Sequence, residues 1–228
     1  MNSAAQVPPV LTEKFEDALL LAARWHATQT RKGSGVPYLS HLLGVASLAL
    51  EFGATETEAI AALLHDALED GPHNTGRSPA DLRTEIVSRF SEDVAVLVDA
   101  ATDATPDPNG LKPAWAERKS VYLAHLPSAP ASALLISASD KLYNVRTILA
   151  DLLTGDEGVF TRFTAGKEGT VQYYRLLSDA YRQAAQRPEV QARPRLLALF
   201  AELERTVFAL ERELGLSAAQ VRGFSALG

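Results

Sequence analysis

The sequence predicts an all-α protein. Apolar residues recur at the three- and four-residue spacing of helix faces along the chain, and no stretch alternates apolar and polar residues as a half-buried strand does. Capping residues and breakers punctuate that pattern at helix-sized intervals. The charge balance of 22 basic against 28 acidic residues and the 46% apolar content are those of an ordinary globular chain, and 228 residues can bury a core without staples.

Thr12 is placed to cap a helix over Glu13–Ala27, with Phe15, Ala18, Leu19 and Ala22 on one face. The run Ser34-Gly35-Val36-Pro37 interrupts the pattern. A second helix is expected from near Leu39 to Phe52, ending at Gly53. Thr55 heads a third, predicted over Glu56–Asp70 and stopped by Gly71-Pro72. Ser78-Pro79 reads as a cap followed by a proline in the first turn, where the missing N–H costs nothing, with the helix running to about Phe90. Ser91 caps the next, through about Thr102. Asp103–Pro113 holds three prolines, a glycine and an asparagine and reads as a loop. Helices are then expected over Ala114–Leu126, Ala131–Leu153, Arg162–Gln186 and Glu189–Leu214, with a short turn after Ser217. No internal repeat, low-complexity tract or long linker divides the chain, so residues 1–228 are expected to form one domain.

Composition excludes several functions. With no cysteine, disulfide frameworks, zinc-thiolate sites, iron–sulfur clusters and cysteine nucleophiles are ruled out. A net charge of −6 argues against a dedicated nucleic-acid binder. The apolar run Ala18–Ala23 is too short to span a membrane, and the uncharged stretch Ser120–Ser139 is interrupted by Pro127 and Pro130. The N-terminus lacks a basic region followed by an apolar one, so no signal peptide and no membrane association is expected and the location is taken as cytoplasmic.

The most informative segment is Ala61-Ala62-Leu63-Leu64-His65-Asp66-Ala67-Leu68-Glu69-Asp70, an apolar helix that abruptly carries an imidazole and three carboxylates. If the helix continues, His65 stacks near Glu69 and Asp66 near Asp70. Acids at a helix C-terminus oppose the macrodipole, so a merely solvated end explains them poorly. Two more clusters stand apart from the core pattern. Arg31-Lys32 precede a glycine-containing loop that leads to His41, and Asp140 interrupts an apolar helix one turn before Asn144. An aspartate there is costly unless paired or bound to a cation. His41, His65, Asp66 and Asp140 together offer two imidazoles and two carboxylates, a donor set suited to manganese, iron or zinc better than to calcium.

In that order on successive helices, these four residues resemble the H…HD…D signature of the HD phosphohydrolase superfamily. Arg31-Lys32 through Pro37-Tyr38 to His41, the block His65 to Asp70, and Asp140-Lys141-Leu142-Tyr143-Asn144 are similar to the hydrolase domain of the stringent-response alarmone enzymes, over about residues 15–182. With no synthetase or regulatory region following, the chain looks most like the stand-alone small alarmone hydrolases. Leu42 departs from the proline many relatives carry after the first histidine, and the basic loop varies in length; neither touches a ligand.

The resemblance implies an HD-type helical bundle of about 9–10 helices, with C-terminal helices at about 189–224 packed on the motif-bearing core. It implies one Mn2+, or another divalent transition metal, held by His41, His65, Asp66 and Asp140. Glu69, assisted by Asp70, would activate the attacking water. Asn144 would lie near the sugar and base, Arg31 and Lys32 along the base and phosphate side, and Arg118 and Lys119 at the 5′-phosphates. His26 would support the site from behind. Lys167 and Arg175 would approach phosphates, whereas Tyr173 and Tyr174 are expected to pack. The implied reaction is metal-dependent removal of the 3′-pyrophosphate of ppGpp, pppGpp or ppApp. Alternatives are hydrolysis of another nucleotide, such as a phosphate of a dinucleotide cofactor, or an antitoxin-type role toward an alarmone synthetase. A homodimer and a toxin synthetase partner are both compatible with the family.

Overall fold

The computed structural model describes residues 10–102 and 113–227, so most of the expected loop at 103–113 lies outside the described residues. All regular structure among the described residues is helical, and an isolated bridge between Thr30 and Pro37 pins the basic loop at its base. The first three helices are α1 (Glu13–Trp25), α2 (Leu39–Glu51) and α3 (Glu56–Leu64); α4 (Gly71–Thr75), α5 (Pro79–Arg89) and α6 (Glu92–Ala101) follow. Beyond the undescribed segment come α7 (Trp115–His125), α8 (Ala131–Leu153), α9 (Gly166–Ala184), α10 (Pro188–Gln191), α11 (Pro194–Glu213) and α12 (Ala218–Arg222).

The expected caps are in place. Thr12 accepts from the Lys14 N–H, and Thr55 and Ser78 each form a reciprocal capping box with the third helical residue. Ser91 and Ser217 cap α6 and α12. The count of helices exceeds the expectation because short ones stand where longer ones were predicted to run or stop.

Three boundaries differ from the sequence reading. First, α3 ends at Leu64 rather than Asp70. The Ala67 N–H reaches the Leu64 carbonyl, three residues back, at 2.9 Å, and the chain continues through turns to Asp70. Pro72 therefore does not stop a helix; it sits in the first turn of α4. Second, α9 begins at Gly166, not Arg162. Gly166 adopts φ +60°, which interrupts the helix, and Glu157–Arg162 form a separate 3₁₀ turn. Third, the helix expected over Glu189–Leu214 is split, because Pro194 has no N–H to donate and forces Arg193 out of helical geometry.

α8 is the central strut. Every residue from Ala133 to Asp140 is buried, as expected of a helix apolar on all sides. α2, α3, α6 and α11 pack against it, α1 covers α3, and α9 lies against α11. One cluster of buried side chains extends from Ala18 on α1 to Val221 on α12. No helix among the described residues is long and apolar enough to cross a membrane.

Candidate active site

Three elements converge at one end of this core. His41 comes from the first turn of α2, His65 and Asp66 from the turns just beyond α3, and Asp140 from the middle of α8. The two imidazole Nε2 atoms stand 3.3 Å apart. His65 Nε2 is 3.0 Å from Asp66 Oδ2 and 3.7 Å from Asp140 Oδ1; His41 Nε2 is 3.5 and 3.3 Å from the same atoms. Donors bound at about 2.1 Å and at right angles around one ion lie about 3 Å apart. His41, His65 and Asp66 offer atoms all within 4.8 Å of one another, a grouping that could hold a metal ion, and Asp140 joins them through its approach to the two imidazoles. The His65 Nδ1 is 2.9 Å from the Ala62 carbonyl, which can only accept. The Nδ1 therefore carries a proton, and Nε2 is the nitrogen turned toward the cluster.

The electrostatics favour a cation here. Burial works to lower the basicity of His65, but the carboxylates of Asp66 and Asp140 outweigh it and hold the imidazole pKa well above its ordinary value. Burial likewise opposes ionisation of Asp66 and Asp140. The histidines, and Lys141 for Asp140, keep both carboxyls well below their usual range. Each carboxylate is also fixed from outside the cluster. Tyr38 Oη donates to Asp66 Oδ2 at 2.6 Å, Lys141 Nζ to Asp140 Oδ2 at 2.6 Å, and Asn144 Nδ2 to Asp140 Oδ1 at 2.6 Å.

The acidic pair is separated by the turns that replace the predicted helix. Glu69 lines a cleft together with Lys141 and Asn144, both of which bond Asp140. Asp70 Oδ2 instead accepts from Gln29 Nε2 at 2.7 Å, while Gln29 Oε1 accepts from His26 Nδ1 at 2.6 Å and Asn74 Nδ2 at 2.7 Å. Burial and the neighbouring Asp66 charge push the Asp70 carboxyl up, against the Gln29 hydrogen bond. His26 is buried and stacks on the Tyr38 ring at 5.4 Å, and Tyr38 in turn bonds Asp66.

The cleft has two adjoining lobes of about 250 and 290 Å³ that share Lys32, Asn144, Arg162 and Phe163. The first runs along the α8 face of Asn144, Ile148 and Asp151 and has apolar walls at Tyr143, Val159 and Phe163. The second lies beside Glu69 and Lys141 and is lined by Arg118 and Lys119 of α7. Arg31 bonds Asn144 Oδ1 at 2.7 Å, with its guanidinium 5.9 and 5.8 Å from the Tyr38 and Tyr143 ring centroids.

Two expected phosphate contacts are corrected. Arg175 is buried in a two-pronged pair with Glu211, at 2.7 and 2.5 Å. Lys167 borders a separate depression beside Glu213. Tyr173 and Tyr174 are buried, but both also form part of the second lobe. Sequence reasoning gave no role to Tyr38, Gln29, Asn74, Lys141 or Arg162. Tyr38 and Lys141 stand inside the motif blocks and carried a signal. Gln29, Asn74 and Arg162 reach the site only through the tertiary fold.

Among the described residues, helices and the turns between them bring His41, His65, Asp66 and Asp140 together. A profile of the HD domain matches residues 18–171, and the chain belongs to the HD domain family. Relatives include the guanosine-3′,5′-bis(diphosphate) 3′-pyrophosphohydrolase MESH1 of Xenopus tropicalis, 38% identical over 135 residues that make up 58% of this chain and 68% of that protein. The Homo sapiens MESH1 is 35% identical over 135 residues, with the same shares. A GTP pyrophosphokinase of Streptomyces coelicolor is 34% identical over 135 residues, covering 59% of this chain but 15% of the enzyme. Among solved structures, one described as a metazoan ortholog of SpoT that hydrolyzes ppGpp superposes with a TM-score of 0.60 and 28% identity, covering 91% of this chain and 99% of that one. A Listeria monocytogenes protein at 24% identity and TM-score 0.59 shares the fold.

Proposed function

We propose that this protein is a manganese-dependent 3′-pyrophosphohydrolase of guanosine 3′,5′-bis(diphosphate) and its close analogues, acting as one hydrolase unit over residues 1–228 in the cytoplasm. One observation carries the reading: Asp140 of the His41, His65, Asp66 and Asp140 cluster is bonded by Lys141 and Asn144, and both of these line a lobe together with Glu69, Lys32, Arg118 and Lys119. In a chain of net charge −6 this concentration of cations is local, and it suits a diphosphate. The relatives named for this hydrolysis support the choice of substrate.

His41, His65, Asp66 and Asp140 would hold the ion, and two imidazoles with two carboxylates suit manganese. A bound divalent ion supplies Lewis acidity toward a phosphoryl oxygen and makes water more acidic. Glu69 accepts the proton of the attacking water through a carboxylate oxygen. The water oxygen bonds to the phosphorus next to the sugar, the bond to the 3′-oxygen breaks, and that oxygen takes up a proton as pyrophosphate leaves. Asp70, locked by Gln29, orients the segment carrying Glu69. Lys119 and Arg118 balance the phosphate charge, Asn144 holds the sugar, and Arg31 with Lys32 covers the base side.

The test is to strip the protein with a chelator, add back manganese, zinc or magnesium singly, supply ppGpp, and identify products. Pyrophosphate and guanosine 5′-diphosphate in the manganese arm are expected. Release of single phosphates, or equal efficiency on a simple nucleoside monophosphate, would overturn the assignment.

A further inference from the structure

The first lobe of the cleft holds a charged pair that the proposed reaction does not use. Asp151 lies on the last turns of α8, and its Oδ2 accepts from Arg162 Nη1 at 2.5 Å. Both residues line the lobe. Arg162 also bonds Asp156, which does not line it. The guanidinium is fixed from a third side by the basic loop. Gly33 approaches so closely that a Cβ there would stand 2.7 to 2.8 Å from Arg162 Cδ, Cγ and Nε, and its φ of +76° independently demands glycine. Arg162 has five N–H groups, and the two bonds to Asp151 and Asp156 leave donors for a ligand.

Asp151 lines the first lobe only, whereas Arg162 stands where the two lobes meet. Asp151 follows Asp140 by eleven positions on α8, which at the helical rise is about 16 Å between their backbones. Tyr143, Ile148, Val159 and Phe163 supply apolar faces for a flat ring in the first lobe. A base lying there turns its outer edge toward Asp151 and Arg162. The edge of guanine presents the O6 acceptor and then two donors, N1–H and the N2 amino group. A guanidinium beside a carboxylate matches that order. Adenine reverses it, setting the N1 lone pair against the carboxylate. Ser34, Ser40 and Thr147 also border the lobe, but a hydroxyl both donates and accepts and does not choose between the bases.

We infer that the Asp151–Arg162 pair is the base-reading element of this protein, selecting guanine over adenine nucleotides. The inference rests on the alarmone reading for its substrate and adds the residues that set base choice. A site built to bond a polar edge rejects the mismatched one by leaving its own groups unpaired.

The experiment compares kcat/KM for the guanosine, inosine and adenosine 3′,5′-bis(diphosphates), in wild type and Asp151→Asn. Wild type should rank guanine first, inosine (which lacks the N2 amino group) second and adenine last, with guanine ahead of adenine by about ten- to a hundredfold. In Asp151→Asn, whose amide offers one acceptor and one donor, that ratio should fall by about tenfold or more. Equal wild-type efficiency on guanine and adenine, or an unchanged ratio in the variant, overturns the inference while leaving the hydrolase reading intact. If no bis(diphosphate) is hydrolysed, the hydrolase reading fails. The base choice is then decided by calorimetric binding of guanosine and adenosine 5′-diphosphates to metal-free wild type and Asp151→Asn, where equal affinities overturn it. The same calorimetry settles the matter if the variant turns nothing over.

Discussion

His65 Nε2 and Asp66 Oδ2 stand 3.0 Å apart, and the proposed ion would need a donor from each. Asp66→Asn or His65→Ala should therefore remove turnover and reduce bound metal, measured by elemental analysis, while the far-UV circular dichroism stays helical. Metal content and activity at wild-type levels in either variant would show that the ligand assignment is wrong. Glu69 touches the cleft without belonging to the cluster, and Glu69→Gln should keep metal but slow the chemical step by about a hundred- to ten-thousandfold. Single-turnover kinetics on the metal-loaded variant reads this directly. The residues of the cluster stood out in the sequence because each lies in or beside an apolar run and is costly to bury there. Arg162 did not, because its place in the cleft depends on a 3₁₀ turn and two carboxylates that only the folded chain brings to it.

Among the elements, the approach of α2 to α8 is the most exacting. A Cβ on Gly44 would lie 2.0 Å from the Tyr143 ring, and that ring stands 5.1 Å from His41, edge to face. Gly44→Ala should cost about 1–3 kcal/mol by forcing the ring and α2 apart. It should also reduce activity more than the loss of folded protein explains, since His41 leans on the displaced tyrosine. A denaturant melt together with kcat per folded molecule tests both parts, and a fully active, equally stable variant would contradict the packing argument. Helix starts were legible because caps are local chemistry: Thr12, Thr55, Ser78, Ser91 and Ser217 each satisfy an N–H two or three residues ahead. The end of α3 was not. Apolar periodicity continues through Ala67 and Leu68, both buried, although the backbone has already tightened into turns.

Over the whole molecule, the N-terminal and C-terminal halves are tied by buried charge. Arg193 bonds both oxygens of Glu58 at 2.6 and 3.0 Å, joining the start of α11 to the first turn of α3. Burial alone would raise the Glu58 pKa, but the Arg193 bonds prevail and the net direction is down. A lowered carboxyl contributes stability that is full above the unfolded value of about 4.3 and is lost as the pH falls through the lower folded value. The melting temperature should therefore drop as acid is added below that point, and Glu58→Gln should shrink this part of the decline. An identical acid profile in the variant would remove Glu58 from the account.

The three elements that form the cluster come from distant stretches of chain, with His41 in the first quarter of the sequence and Asp140 past its middle. An unfolded polypeptide cannot assemble them, so any cation they grip acts as a rivet that exists only in the native state. Occupancy is then visible as heat resistance, amounting to about 2.7 kcal/mol when free ion exceeds its dissociation constant a hundredfold. Titrating candidate cations against the melting curve would rank them without a nucleotide in the tube.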